Sequence, residues 1–158
     1  MSTESNKAVV ERFITEAWNA GSLNAVDELV HATYAISGLG HGPEAVKRNM
    51  QIYRTAFPDL AWVIEQLVAE GEWVAARLTL HGTHLGPLGN IEPTGKRVVM
   101  NEMAFWRVLD SKLHAIWSQG DALGIRIQIG SIPATAWDHS VPATADHPGR
   151  PDDTPESQ

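Results

Sequence analysis

A chain of 158 residues is long enough for one domain with a real core and too short for two of ordinary size. Its 43% hydrophobic and 20% charged residues suit a packed globular protein, and a formal charge of -7 with only 12 Lys and Arg argues against a nucleic-acid or anionic-membrane partner. With zero cysteines, disulfides, thiolate catalysis and cysteine-ligated metals are excluded.

Met1 to Lys7 is polar and lacks the apolar run of a signal peptide, so a cytoplasmic protein is expected. From Ala8, the spacing of Val10, Phe13, Ile14, Ala17 and Trp18 predicts a first helix that Gly21 stops. Ser22 is placed to cap a second helix carrying Leu23, Val26, Leu29 and Val30, and 31–41 reads as an irregular connection. Pro43 opens a third helix with the stripe Ala45, Val46, Met50, Tyr53 and Phe57, ended by Pro58. The pattern then changes to Val-, Ile-, Leu- and Trp-rich runs at 60–69, 73–81, 97–109 and 113–119, separated by tight turns and by the long loop 81–96. Three helices and an antiparallel meander predict an α+β fold. If the sheet is strongly curved, the helices cover it only partly and a cavity is left between the layers. The domain is expected to span 1–130, followed by a mobile Pro-, Asp- and Ser-rich tail over 131–158.

Several segments in fixed order carry a resemblance: Phe57-Pro58-Asp59-Leu60, the run from Leu67 to Arg77, Gly82-Thr83-His84-Leu85-Gly86, Pro93-Thr94-Gly95-Lys96, Phe105-Trp106-Arg107 and Trp117-Ser118-Gln119-Gly120-Asp121. Over roughly residues 5 to 130 the chain resembles the SnoaL-like polyketide cyclases of the nuclear-transport-factor-two-like superfamily. That resemblance implies a cone-shaped barrel, in which a curved antiparallel sheet wraps around the N-terminal helices to enclose a pocket. It also implies an intramolecular aldol ring closure in polyketide biosynthesis, without metal or organic cofactor, and a homodimer formed through the outer sheet face. Val99, Met103 and Phe105, alternating on one face of their strand, give the dimer physical support.

Asp121 matches the position that resembles the family's acid/base. If the last strand continues to it, Ala115, Trp117, Gln119 and Asp121 share one face, which would line the pocket. Among apolar groups its carboxyl would be held protonated to higher pH and could shuttle a proton. The alternative is a helix cap for the turn beginning at Ala122. His84 falls at a second matching position, where a neutral imidazole could assist at a carbonyl or structure its loop. His81 and His84 need not point together, so no metal site is expected. Gly89 to Lys96 lacks the spacing of a phosphate loop.

Departures from the family pattern are also present. Ala104 and Ala115 stand where relatives often carry histidine and an acidic residue, and Ser37 stands where another histidine is common, with His41 close enough to substitute. The alanines would enlarge the pocket, and Glu102, in register with Ala104, could supply a replacement carboxyl group or be a solvated strand residue. Trp106 and Trp117 are the expected aromatic walls; Tyr34 and Tyr53 could donate to a substrate carbonyl from the helical side. Ring closure therefore competes with epoxide opening or dehydration in the same pocket, and with a non-catalytic role in binding a hydrophobic small molecule.

Overall fold

The computed structural model describes residues 2–137, so most of the expected tail, 138–158, lies outside the described residues. The first helix starts earlier than Ala8. α1 spans Thr3–Arg12, with Ser2 Oγ accepting from the Ser5 N–H at 3.1 Å. It runs on through Phe13–Asn19 as a widened π turn, in which Ala20 N–H reaches back five residues to Thr15 O at 3.0 Å. Gly21, at φ +73°, supplies the left-handed stop. α2 is Leu23–Leu29, capped by Ser22 as its sequence predicts. The expected irregular connection contains a small antiparallel hairpin, β1 Ala35–Ile36 with β2 Gly40–His41. α3, Gly42–Ala56, follows directly with a proline in its first turn.

Four strands then form one antiparallel sheet in sequence order: β3 Ala61–Glu70, β4 Trp73–Thr83, β5 Arg97–Leu109 and β6 Lys112–Gly120. α4, Ala122–Ile129, closes the domain against β5. The fold is α+β, with N-terminal helices packed on a four-stranded antiparallel sheet. No helix among the described residues is long and apolar enough to cross a membrane.

The alternation of β4 and β5 separates two faces. Val74, Ala76, Leu78, Leu80, Val98, Met100, Ala104, Trp106 and Val108 turn inward and are buried against Val10, Phe13, Ile14, Ala17, Val26 and Leu29 from the helices. Full burial of each large apolar side chain contributes about 1.5–3 kcal/mol, which makes this layer the core of the domain. The opposite face carries Val99, Met103, Phe105, Trp73 and Trp117, all exposed, with the rings of Trp73 and Trp117 packed at 5.3 Å.

One irregularity decides which side chains β6 sends inward. Arg107 pairs with Ala115 but Val108 pairs with Leu113, so β6 holds one extra residue, His114, at a bulge. Leu113 is inward and fully buried; beyond the bulge the alternation resets, and Ile116 and Ser118 face inward opposite Trp106 and Ala104. Trp117 and Gln119 are thereby turned to the outer face, opposite Phe105 and Met103. This corrects the expectation that the face shared by Ala115, Trp117 and Gln119 lines the pocket. Ala115, opposite Arg107, is likewise on the outer side, while Ala104 is inward and fully buried.

Candidate functional site

Between the helical layer and the inner face lies a cavity of about 390 Å³. The π turn supplies Phe13, Ile14 and Trp18, the segment entering β1 supplies Tyr34, and α3 supplies Asn49 and Tyr53. The sheet contributes Trp62, Leu78, Glu102, Trp106, Ile116 and Ser118. Most of the wall is apolar or aromatic, with a few polar groups, as in sites that orient small organic ligands.

Of the residues singled out in the sequence, Tyr34, Ser37, Tyr53, Glu102 and Trp106 line this cavity. Glu102 is the one carboxyl group among its lining residues, and they include no Lys, Arg or His. Burial pushes the Glu102 carboxyl above the ordinary carboxylate range, against a hydrogen bond from Ser118 that favours the ionised form. Gly120, directly opposite on β6, leaves room for it: a Cβ there would stand 3.0 Å from Glu102 Oε2 and 3.4 Å from Met100 Sδ. Burial also raises the hydroxyls of Tyr34 and Tyr53, and the charge of Glu102 adds to the effect on each. Both phenols therefore stay protonated donors at neutral pH.

Trp106 is fixed from two sides. Its ring is buried in the inner face, and its Nε1–H donates to Tyr34 Oη at 3.3 Å. Trp18 packs edge-on against Tyr53 at 6.1 Å and against Trp62 at 6.3 Å, so three aromatic walls brace one another.

The remaining candidates lie elsewhere. Asp121 is exposed and not in the cavity wall; it caps α4, its Oδ1 accepting from Gly124 N–H at 2.7 Å. His84 is fully buried outside the wall, its ring tilted on Phe57 and its Nδ1 3.1 Å from Thr94 Oγ1. Its backbone exchanges hydrogen bonds with Lys96 O and Gly95 N–H, which ties down the 81–96 loop. His81 is exposed, so the two histidines do not converge. His41 is exposed at the start of α3 and makes no side-chain cap. Trp117, 58% exposed, and Gln119 are on the outer face.

The sequence reading did not assign Trp62, Asn49, Ser118 or Ile116 to the wall. For Ile116 and Ser118 the bulge hides the signal.

A helical layer over an antiparallel sheet, with a walled organic-ligand cavity between them, defines a nuclear-transport-factor-two-like fold. Residues 8–129 match the SnoaL-like polyketide cyclase family, and the chain belongs to it. It is 34% identical over 128 residues to the aklanonic acid methyl ester cyclase DnrD of Streptomyces peucetius, covering 75% of this chain and 87% of that protein. To the nogalonic acid methyl ester cyclase of Streptomyces nogalater it is 31% identical, covering 74% and 92%. Both relatives are enzymes. Among solved structures, TsrD from Streptomyces laurentii superposes with a TM-score of 0.76 at 24% identity, covering 84% of this chain and 99% of that one. A SnoaL-like polyketide cyclase from Agrobacterium tumefaciens has a TM-score of 0.69 at 22% identity, covering 82% and 100%. At that identity the two structures speak for the fold alone.

Proposed function

We propose that this protein is a polyketide cyclase that closes a ring by intramolecular aldol addition, with Glu102 as its acid/base. The observation that carries the reading is the position of Glu102: a half-buried carboxyl in an otherwise uncharged aromatic cavity, its affinity for a proton raised by burial. A base tuned upward in this way suits abstraction of a proton from carbon flanked by carbonyl groups. The Glu102 carboxylate takes that proton, and the resulting enolate carbon attacks a ketone carbon of the same molecule. One C–C bond forms, the C=O π bond breaks, and the alkoxide takes up a proton as Glu102 returns to its ionised state. Substrate and product are isomers, so the step needs no oxidant or reductant.

The aromatic walls Trp18, Trp62 and Trp106 offer flat faces to a fused-ring substrate, and Asn49, Tyr53 and Ser118 offer polar contacts at separate points of the wall. Asp121, the acid/base expected from the resemblance, is assigned here to capping α4, since its carboxylate is engaged with Gly124. The exposed outer-face cluster of Trp73, Trp117, Phe105 and Met103 supports a homodimer built on that face.

The test is turnover of aklanonic acid methyl ester, the substrate class named by the relatives, followed by chromatography and mass spectrometry. A new isomer of unchanged mass is expected. Gain or loss of one water would replace ring closure with epoxide-type hydrolysis or dehydration, and tight binding without a product would make the protein a carrier.

A further inference from the structure

One hydroxyl of the cavity is open and unpaired, and it shares the chamber with the Glu102 carboxyl group. Val46, Asn49 and Tyr53 are spaced by three and four residues on α3, which puts them on one stripe of the helix, and all three line the cavity. Tyr53 is partly buried. Its hydroxyl makes no hydrogen bond among the described residues and, unlike the sealed Nε1 of Trp62, keeps accessible surface. Its ring is held edge-on to Trp18 at 6.1 Å, and Trp18 is braced in turn by Trp62. Tyr34 offers no such opening: it is 2% exposed, and its Oη already accepts from Trp106 Nε1–H.

The two groups belong to opposite layers. Tyr53 comes from the helical side and Glu102 from the inner face of β5, with the cavity between them. Burial, and after it the charge of Glu102, strengthens the hold of the Tyr53 hydroxyl on its proton. One wall can therefore take a proton while the other still has one to give. In a ring closure the carbon that loses a proton and the oxygen that gains one are at different points of the substrate, so groups on facing walls reach both without the bound molecule turning over.

We propose that Tyr53 is the proton donor of the ring closure and that Glu102 serves as its base. This rests on the cyclase reading and divides the acid and base roles between two residues. The Glu102 carboxylate takes the proton from a carbon flanked by carbonyl groups. As that carbon bonds to the ketone carbon, the C=O π pair moves onto oxygen, and the oxygen takes the Tyr53 hydroxyl proton. The phenolate left behind receives the proton held by Glu102; a phenolate is ordinarily more basic than a carboxylate, so this last transfer runs downhill. Both residues return to their starting states, and the product is an isomer of the substrate. Tyr53 is thus a catalytic residue in the strict sense of touching a reacting atom.

Tyr53→Phe keeps the ring against Trp18 and removes one oxygen. With aklanonic acid methyl ester, kcat for ring closure is expected to fall about 100-fold, the lower end of what a positioned acid contributes. The Tm should not drop, because the free protein has no hydrogen bond at that hydroxyl to lose. In D2O the variant should still carry deuterium into recovered ester faster than buffer alone, since Glu102 still removes and returns a proton at carbon. Glu102→Gln should lose exchange and closure together.

Three results would overturn the inference: a Tyr53→Phe protein that closes the ring at the wild-type rate, one whose lost turnover tracks an equal loss of folded protein, or one in which exchange falls as far as closure. The last would put Tyr53 at the first proton transfer. Each leaves the cyclase reading standing as long as the wild type yields an isomer of unchanged mass. A wild-type protein that gives neither exchange nor isomer would overturn both.

Discussion

The two faces of the β3–β6 sheet both carry aromatic side chains and differ in how their charged groups are placed. On the outer face Thr79 Oγ1 donates to Glu65 Oε1 at 2.9 Å and Arg107 is paired with Glu72 at 2.9 Å. On the inner face Glu102 stands half-buried among apolar and aromatic groups, with no Lys, Arg or His in the cavity wall. A face whose polar groups are already paired can serve as a surface to be covered. A face that holds one carboxyl group without a counter-charge inside an apolar wall is prepared for an occupant.

The largest effect that could break this contrast is at Glu102. Glu102→Gln should lower kcat about 10²–10⁴-fold, the usual contribution of a positioned acid/base, with the fold intact by circular dichroism. In the wild type, activity should rise with pH through a midpoint above that of an ordinary glutamate, about 4.3. The same substitution should stabilise the protein at neutral pH. The folded chain holds the Glu102 proton to higher pH than the unfolded chain does, so stability is lost as pH rises from the ordinary carboxylate range through the folded value. Denaturation curves of wild type and variant should therefore separate across that window and converge in acid. Curves that stay parallel would place Glu102 in solvent.

Gly120→Ala asks whether the position of the carboxyl matters as well as its presence. The new Cβ would crowd Glu102 Oε2 at 3.0 Å, and a tenfold or larger loss of kcat is expected, since small displacements of a catalytic group are costly. On the outer face, Met103→Lys with Phe105→Lys should halve the mass seen by light scattering and leave cyclisation unchanged; a monomeric wild type at micromolar concentration would sink the dimer. The smallest effect belongs to Asp121→Ala, where loss of the α4 cap should cost about 1 kcal/mol of stability with kcat nearly unchanged. A kcat loss there comparable to that of Glu102→Gln would return the acid/base role to Asp121.

Much of the fold could be read from local patterns. The cap at Ser22, the first-turn proline at Pro43 and the strand runs after Asp59 are short-range signals, and the structure puts elements within a few residues of each. Met100 and Met103 were separable by parity alone, one buried and the other 65% exposed. The site was harder. Reading parity along β6 requires knowing that no residue is inserted, and the bulge at His114 depends on pairing with β5, which no window of β6 contains. The roles of Asp121 and Glu102 were open for a related reason: a carboxylate at a strand end caps a helix or faces a cavity according to where the backbone turns. The π turn that brings Phe13, Ile14 and Trp18 to the cavity was read as ordinary helix, because one widened turn barely alters the spacing of its apolar residues.

The one-residue offset at the β6 bulge, more than the residue that makes it, governs the chemistry of the chamber. With His114 excised in frame, Leu113 would run into Ala115 in strict alternation, and Ile116 and Ser118 would still face inward. With His114 kept and the bulge flattened, strict alternation from Leu113 would instead swing Trp117 and Gln119 inward, exchanging an aliphatic and hydroxyl wall for an indole and carboxamide one. Loss of that codon in a lineage is thus silent for the chamber, whereas loss of the offset is a route to new substrates that a comparison of aligned residues alone would overlook.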